Sequence, residues 1–271
     1  MGTSTRWTGP GGRSGTAAEW SRVSRRLSRW KGDGPQAERL LDEILDDHLA
    51  VLHRTIREDQ SAFGLVDAAT KAGYRLADVM AVLAHDGPSD LKDAGDFLAR
   101  FTDEVGGEGG TVTDAAIRRA ATDTAERLLE RRNAETGGAE TGGGEAAGGG
   151  LAGDLLCLLY QWFFADIVTE FLRSVIAEKV KLVAPILPVL DPGDHIADWA
   201  ADKVLSLVPS PCEEAAELVE EAKFAESVIE DPVGSLPDIA RRLVPGTVGR
   251  VLGQVVEDVL GHQEGTEEES A

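Results

Sequence analysis

A chain of 271 residues admits one large domain or two ordinary ones, and 42% apolar with 28% charged residues is the balance of a globular protein. With 48 acidic against 27 basic side chains the net charge is −21, which repels phosphate and argues against general nucleic-acid binding. Cys157 and Cys212 are too few for a disulfide framework and their scarcity suits a reducing cytosol, no segment near Met1 has the apolar core of a signal peptide, and the most apolar run, Leu155 to Ala165, falls short of the roughly 20 residues that span a bilayer. These readings exclude secreted, membrane-spanning, fibrous and disulfide-rich classes, and they predict a cytoplasmic protein that does not touch membranes.

Charge is unevenly distributed. Residues 1–31 carry Arg6, Arg13, Arg22, Arg25, Arg26, Arg29 and Lys31 against Glu19 alone. Within them, 1–16 (MGTSTRWTGPGGRSGT) read as a flexible arm of Gly, Ser, Thr and Pro. Ala17 to Lys31 reads as a helix. Trp20, Val23, Leu27 and Trp30 share one face, and Arg22, Arg25, Arg26 and Arg29 share the other. Gly32 to Pro35 ends it.

A second helix spans 36–58, with Leu40, Leu41, Ile44, Leu45, Leu49, Leu52 and Ile56 as its stripe and Asp42, Glu43, Asp46 and Asp47 expected in water. Shorter helices are predicted near 61–72, 75–86 and 89–104, separated by Gly73 and Gly87-Pro88. Thr113 is expected to cap a helix reaching Arg132. Residues 133–150 (NAETGGAETGGGEAAGGG) hold no large apolar side chain and read as a linker.

Beyond it, Asp154 is expected to cap a helix to Leu182. Its first turns are apolar nearly all round, which predicts burial. Further helices are expected at 194–208, 211–230 and 247–261, followed by an acidic disordered tail at 263–271. The fold class is therefore all-α and bundle-like: the arm at 1–16, a helical region at 17–132, the linker, and a second helical region at 151–262. One core or two is left open.

Several patterns suggest chemistry. His85-Asp86 superficially matches the HD pair of metal-dependent phosphohydrolases, with His48 upstream as a third ligand. On the 75–86 helix, however, Leu76, Val79, Met80 and Leu83 form the buried stripe and His85 falls on the opposite side. His48 is expected to be a hydrogen-bonded core histidine. His195, Asp198 and Asp202 share a helix face that suits a divalent cation, or simply the positive end of a helix. Glu213, Glu214, Glu217, Glu220 and Glu221 read as a solvated face. Cys157 is expected to be buried and inert. Cys212 opens a helix, where a thiolate is favoured, but no local base accompanies it. No phosphate-loop, nucleophile-elbow or zincin motif occurs.

The basic helix has three readings: phosphate binding, an anionic membrane surface, or docking through its apolar stripe onto this chain or a partner. Fifteen residues with one narrow stripe are marginal for membrane residence. Removal of Met1 would leave Gly2 with an unhindered α-amine of pKa roughly 7.7–8.0. The myristoylation pattern fails at Arg6.

The opening MGTSTRWTGPGG, followed by a tryptophan-bearing helix ending in Trp30, resembles the N-terminus of the QatB-like components of the Qat anti-phage defence operon. The likeness covers residues 1–31. It implies that a QatC-type partner, similar to the queuosine-pathway enzyme QueC, conjugates the N-terminal glycine to a deazaguanine base. Gly2 would be the acceptor, and Thr3, Ser4 and Thr5 the segment the partner reads. Trp20, Val23, Leu27, Trp30 and the four arginines of the helix would dock the partners. The chain itself would be no enzyme and would hold no metal or cofactor. The alternatives kept beside this expectation are an HD-type phosphohydrolase using His48, His85 and Asp86, and nucleic-acid binding through the basic helix.

Overall fold

The computed structural model describes residues 15–30, 36–86, 94–107, 110–137, 153–183, 195–196, 198–199, 203–224 and 232–253. Among them are eight α-helices and no strand. The helices are α1 (Gly15–Leu27), α2 (Ala37–Glu58), α3 (Leu65–Asp86), α4 (Ala94–Gly106), α5 (Val112–Gly137), α6 (Gly153–Val183), α7 (Pro211–Phe224) and α8 (Pro232–Val251). The expected all-α class is what the chain adopts. Residues 1–14 of the arm expected at 1–16, residues 138–150 of the linker, residues 254–261 of the helix expected at 247–261, and the tail at 263–271 lie outside the described residues.

The core is one cluster. Its buried members run from Trp20 to Leu252 and come from both sides of the glycine-rich segment. α5 and α6, which flank that segment, pack along each other. α6 is central and also meets α1, α3, α7 and α8. Its part Gly153–Val175 is long and apolar enough to cross a membrane, a longer apolar stretch than the run at 155–165 suggests. Because 83% of that window is buried by neighbouring helices, it acts here as a core helix.

Four local readings are corrected. Gly73 does not break a helix, since α3 runs through it. A Cβ there would lie 2.6 Å from Phe164 Cζ and 2.9 Å from Val244 Cγ1, so the glycine is what lets α3, α6 and α8 cross. Thr111, not Thr113, caps α5: its Oγ1 accepts from the Asp114 amide at 3.0 Å, and Asp114 Oδ2 accepts from the Thr111 amide at 2.9 Å. Thr113 instead donates to the Phe63 carbonyl at 2.8 Å. That bond helps hold Phe63 at φ 60°, where its ring meets Phe171 and Trp20.

The third correction concerns the ends of the two late boundaries. α5 continues to Gly137, five residues into the expected linker. The last helix begins at Pro232 rather than at 247 and carries Pro237 and Pro245 inside it. Proline is well placed at a first helical position, and the buried Leu236, Ile239, Ala240, Val244, Val248 and Val251 supply the periodicity that outweighs the two internal prolines. Fourth, Cys157 and Cys212 are joined in a disulfide with Cα atoms 5.8 Å apart. The expectation of two free thiols, one inert and one at a helix start, is thus overturned. The argument from cysteine scarcity to a reducing compartment goes with it.

Candidate functional site

The first candidate is the seat of α1 on α2. Trp20, Val23 and Leu27 are buried at 3%, 5% and 2% exposure, against this chain's own helices. The Trp20 indole donates to Thr55 Oγ1 at 2.9 Å, and Thr55 donates on to the Val51 carbonyl at 2.7 Å. The Trp20 ring meets His48 and Phe63 edge-on, with centroids 6.2 and 6.1 Å away. Trp30 is half-buried, its indole donating to the Ala37 carbonyl at 3.0 Å. Of the residues expected to dock partners, Trp20, Val23 and Leu27 are therefore not available. Their stripe is consumed intramolecularly because α2 offers an apolar face of matching length.

Arg26 is also engaged. It reaches Asp47 and Glu43 of α2, each at 2.5 Å, and the two carboxylates raise its already high pKa, Asp47 most. Arg22 and Arg25 are exposed, as is Arg29. Arg22 lies 3.9 Å from Glu19, and Arg25 Nε donates to the Ser21 carbonyl of its own helix at 3.1 Å. The acids of α2 expected in open water are partnered on both sides. Glu43 and Asp47 hold Arg26, while Asp42 accepts from His195 at 2.9 Å, and Asp46 accepts from the Trp199 indole at 3.2 Å. Leu40, expected in the stripe, is 43% exposed.

His48 is the core histidine the sequence predicts. It is 1% exposed, and its Nδ1 lies 2.7 Å from the Ile44 carbonyl. Burial lowers its pKa, so the ring is neutral and Nδ1 carries the proton. His85 is exposed on α3, opposite the buried Leu76, Val79, Met80 and Leu83. The structure does not bring His48 and His85 together. The side chain of Asp86 and all of Asp202 lie outside the described residues, as do the side chains of Glu220 and Glu221. His195 turns to Asp42 and not to Asp198. Among the described residues, no group of three or more His, Cys, Asp or Glu is placed to hold a metal ion. Glu213, Glu214 and Glu217 are exposed on α7, as expected of a solvated face.

The second candidate was not read from the sequence. Between α5 and α6 lies a cleft of about 480 Å³ walled by Asp123, Arg127, Trp162, Asp166, Glu170 and Arg173, among others. Asp166 and Glu170 are one turn apart on α6 and only 7% and 2% exposed. Asp166 pairs with Arg127 and accepts from Thr124 Oγ1 at 3.1 Å. Glu170 pairs with Arg173, and with Arg119 at 3.0 Å. Burial outweighs those cations and pushes the Asp166 carboxyl up to about 6. It pushes Glu170 up as well, and the charge of Asp123 adds to both. The Arg127 guanidinium also sits 5.8 Å from the centre of the Trp162 ring. The Asp166 carboxyl exchanges its proton near pH 6, and with Glu126, Glu130 and Asp198 also on the walls, acids outnumber arginines there. The available signal was a pair of acids four residues apart inside an otherwise apolar helix.

No family model, curated protein or solved structure matches the chain.

Proposed function

We propose that this chain is a non-enzymatic, cytoplasmic component of an anti-phage defence system of the Qat type. It acts through protein partners, presenting Gly2 to a QueC-like enzyme that conjugates it to a deazaguanine base. The reading rests on the opening MGTSTRWTGPGG. One feature of the fold supports it: α1, which begins at Gly15, is fastened to the body by buried Trp20 and Leu27 and by Arg26. A peptide that must enter another enzyme's cleft is found faster from a fixed base, because anchoring limits the volume its end searches.

Docking of the partner falls to Arg22 and Arg25 on the exposed outer face of α1 and to Arg29 in the turn just past its end, and not to the tryptophan stripe. An acidic patch on the enzyme would meet them. Intact-mass measurement on the protein purified with its native operon tests the proposal. Wild type should carry added mass at its N-terminus, Gly2→Pro should carry none and should lose protection against phage, and both should unfold alike. Arg22→Glu with Arg25→Glu should reduce the modified fraction at unchanged stability. An unmodified wild-type N-terminus in that setting overturns the reading.

A further inference from the structure

We propose that the cleft between α5 and α6 binds an aliphatic polyamine, a flexible chain of methylenes that carries two or more ammonium groups. Three observations on its walls carry this. First, the cleft holds about 480 Å³, the size of a small-molecule site and far more than a bare ion fills. Second, its negative charge is in excess and spread out. Arg127 is engaged by Asp166, and Glu170 engages both Arg173 and Arg119. Asp123, Glu126 and Glu130 of α5 and Asp198 also line the cleft, and among the described residues none of these four has a cation as its partner. The three acids of α5 follow one another along about 10 Å of helix. Among the described residues no three acids are placed to hold a metal ion, so charge strung along a groove suits ammonium groups strung along a chain. Third, apolar surface lies among the acids. Trp162, Ala165 and Leu205 share the walls and give the methylenes something to cover. The Arg127 guanidinium, 5.8 Å from the centre of the Trp162 ring, shows that this ring already sits beside a cation.

Each part of such a ligand has a counterpart. Glu126 and Glu130 are one turn apart on α5 and exposed, so an ammonium group between them meets two carboxylates at the mouth. Deeper in, the charge of Asp123 acts against both buried acids, Asp166 and Glu170. An ammonium group beside Asp123 relieves that crowding of like charges, and does so where neighbouring protein keeps water scarce. The Thr169 hydroxyl donates to the Ala165 carbonyl at 2.9 Å, which leaves its oxygen to accept an N–H from the ligand. Arg127 and Arg173 stay on their carboxylates throughout. The charge of the ligand therefore adds to theirs, and an anionic or neutral chain of the same length gains none of these contacts.

Spermidine serves as the probe, titrated calorimetrically into the whole protein at neutral pH and physiological salt. Saturation at one molecule per chain is expected, together with a Tm that climbs as spermidine is added. Glu126→Gln with Glu130→Gln, both at exposed positions, should weaken binding by about tenfold and leave unfolding of the free protein unchanged. Trp162→Ala should weaken it by about fivefold. Glu213→Gln with Glu214→Gln removes the same charge from the exposed face of α7 and should leave the affinity as it was. Butylamine, with one ammonium group, should bind more weakly than spermidine, and magnesium at equal concentration should not displace it. Equal losses in the two double variants would reduce the binding to a general response to a net charge of −21. That result, the absence of saturable binding, displacement by magnesium, or butylamine binding as tightly as spermidine each overturns the proposal.

Discussion

The α1–α2 seat and the α5–α6 cleft both bring arginines to carboxylates on a neighbouring helix, yet they do so under opposite conditions. In the seat, Arg26, Glu43 and Asp47 stay 40% to 46% exposed and lie over a dry contact made by Trp20, Val23 and Leu27. The apolar contact holds the helices, and the ions decorate its edge. In the cleft the carboxylates themselves are buried, and desolvation outweighs the arginines beside them. The first arrangement stabilises the fold. The second works against stability at neutral pH, because burial raises both carboxyl pKa values.

The sharpest way to break this contrast is to empty the seat. Trp20→Ala removes a fully packed indole and its hydrogen bond to Thr55, and should lower stability by about 3–5 kcal/mol in urea unfolding. A loss under about 1 kcal/mol would mean the seat is superficial.

Next in size is the pH dependence of the cleft. Because the folded protein holds the Asp166 proton up to about pH 6, against a reference near 3.8, folding takes up a proton between those values. Its contribution therefore favours the fold at low pH and is lost as pH rises from about 4 to 6, amounting to roughly 2–3 kcal/mol by linkage. Asp166→Asn, which mimics the protonated acid, should be more stable than wild type at pH 7 and lose that advantage near pH 4. Parallel stability curves for the two proteins across that window would refute a costly cleft.

A smaller effect belongs to the rim of the seat. Arg26→Ala should cost less than about 1 kcal/mol, and less again in high salt, because the pair is exposed. Smallest of all is the segment between α5 and α6. Halving residues 138–150 changes closure entropy by only about 0.6 kcal/mol, so the unfolding midpoint should barely move.

Much of the seat was legible in the sequence. A stripe at 20, 23, 27 and 30 beside another at 41, 44, 45 and 52 is a statement about periodicity, and periodicity is local. So is the burial of Leu76, Val79, Met80 and Leu83, which correctly put His85 outside. What escaped were features set by distant partners. Gly73 looks like a breaker until Phe164 and Val244 arrive against it. Cys157 and Cys212 look solitary because 55 positions separate them. The prolines at 237 and 245 argue locally against a helix that tertiary burial then enforces. Asp166 and Glu170 were visible as letters, but their meaning depends on Arg119, Arg127 and Asp123 from another helix. The pairing of Asp42 with His195 was hidden for the same reason.

The single core has a consequence for how the chain is made. Every one of α1 to α5 leaves the ribosome before α6, the helix that covers α1, α3 and α5. At a synthesis rate of about 5–20 residues per second, the early helices wait on the order of ten seconds for α6 to α8 to emerge. During that interval Leu76, Met80, Leu128 and their neighbours have no permanent cover. The nascent first half is thus a natural client for a holding chaperone, and a chain truncated after α5 should collect in aggregates rather than persist as a free folded unit.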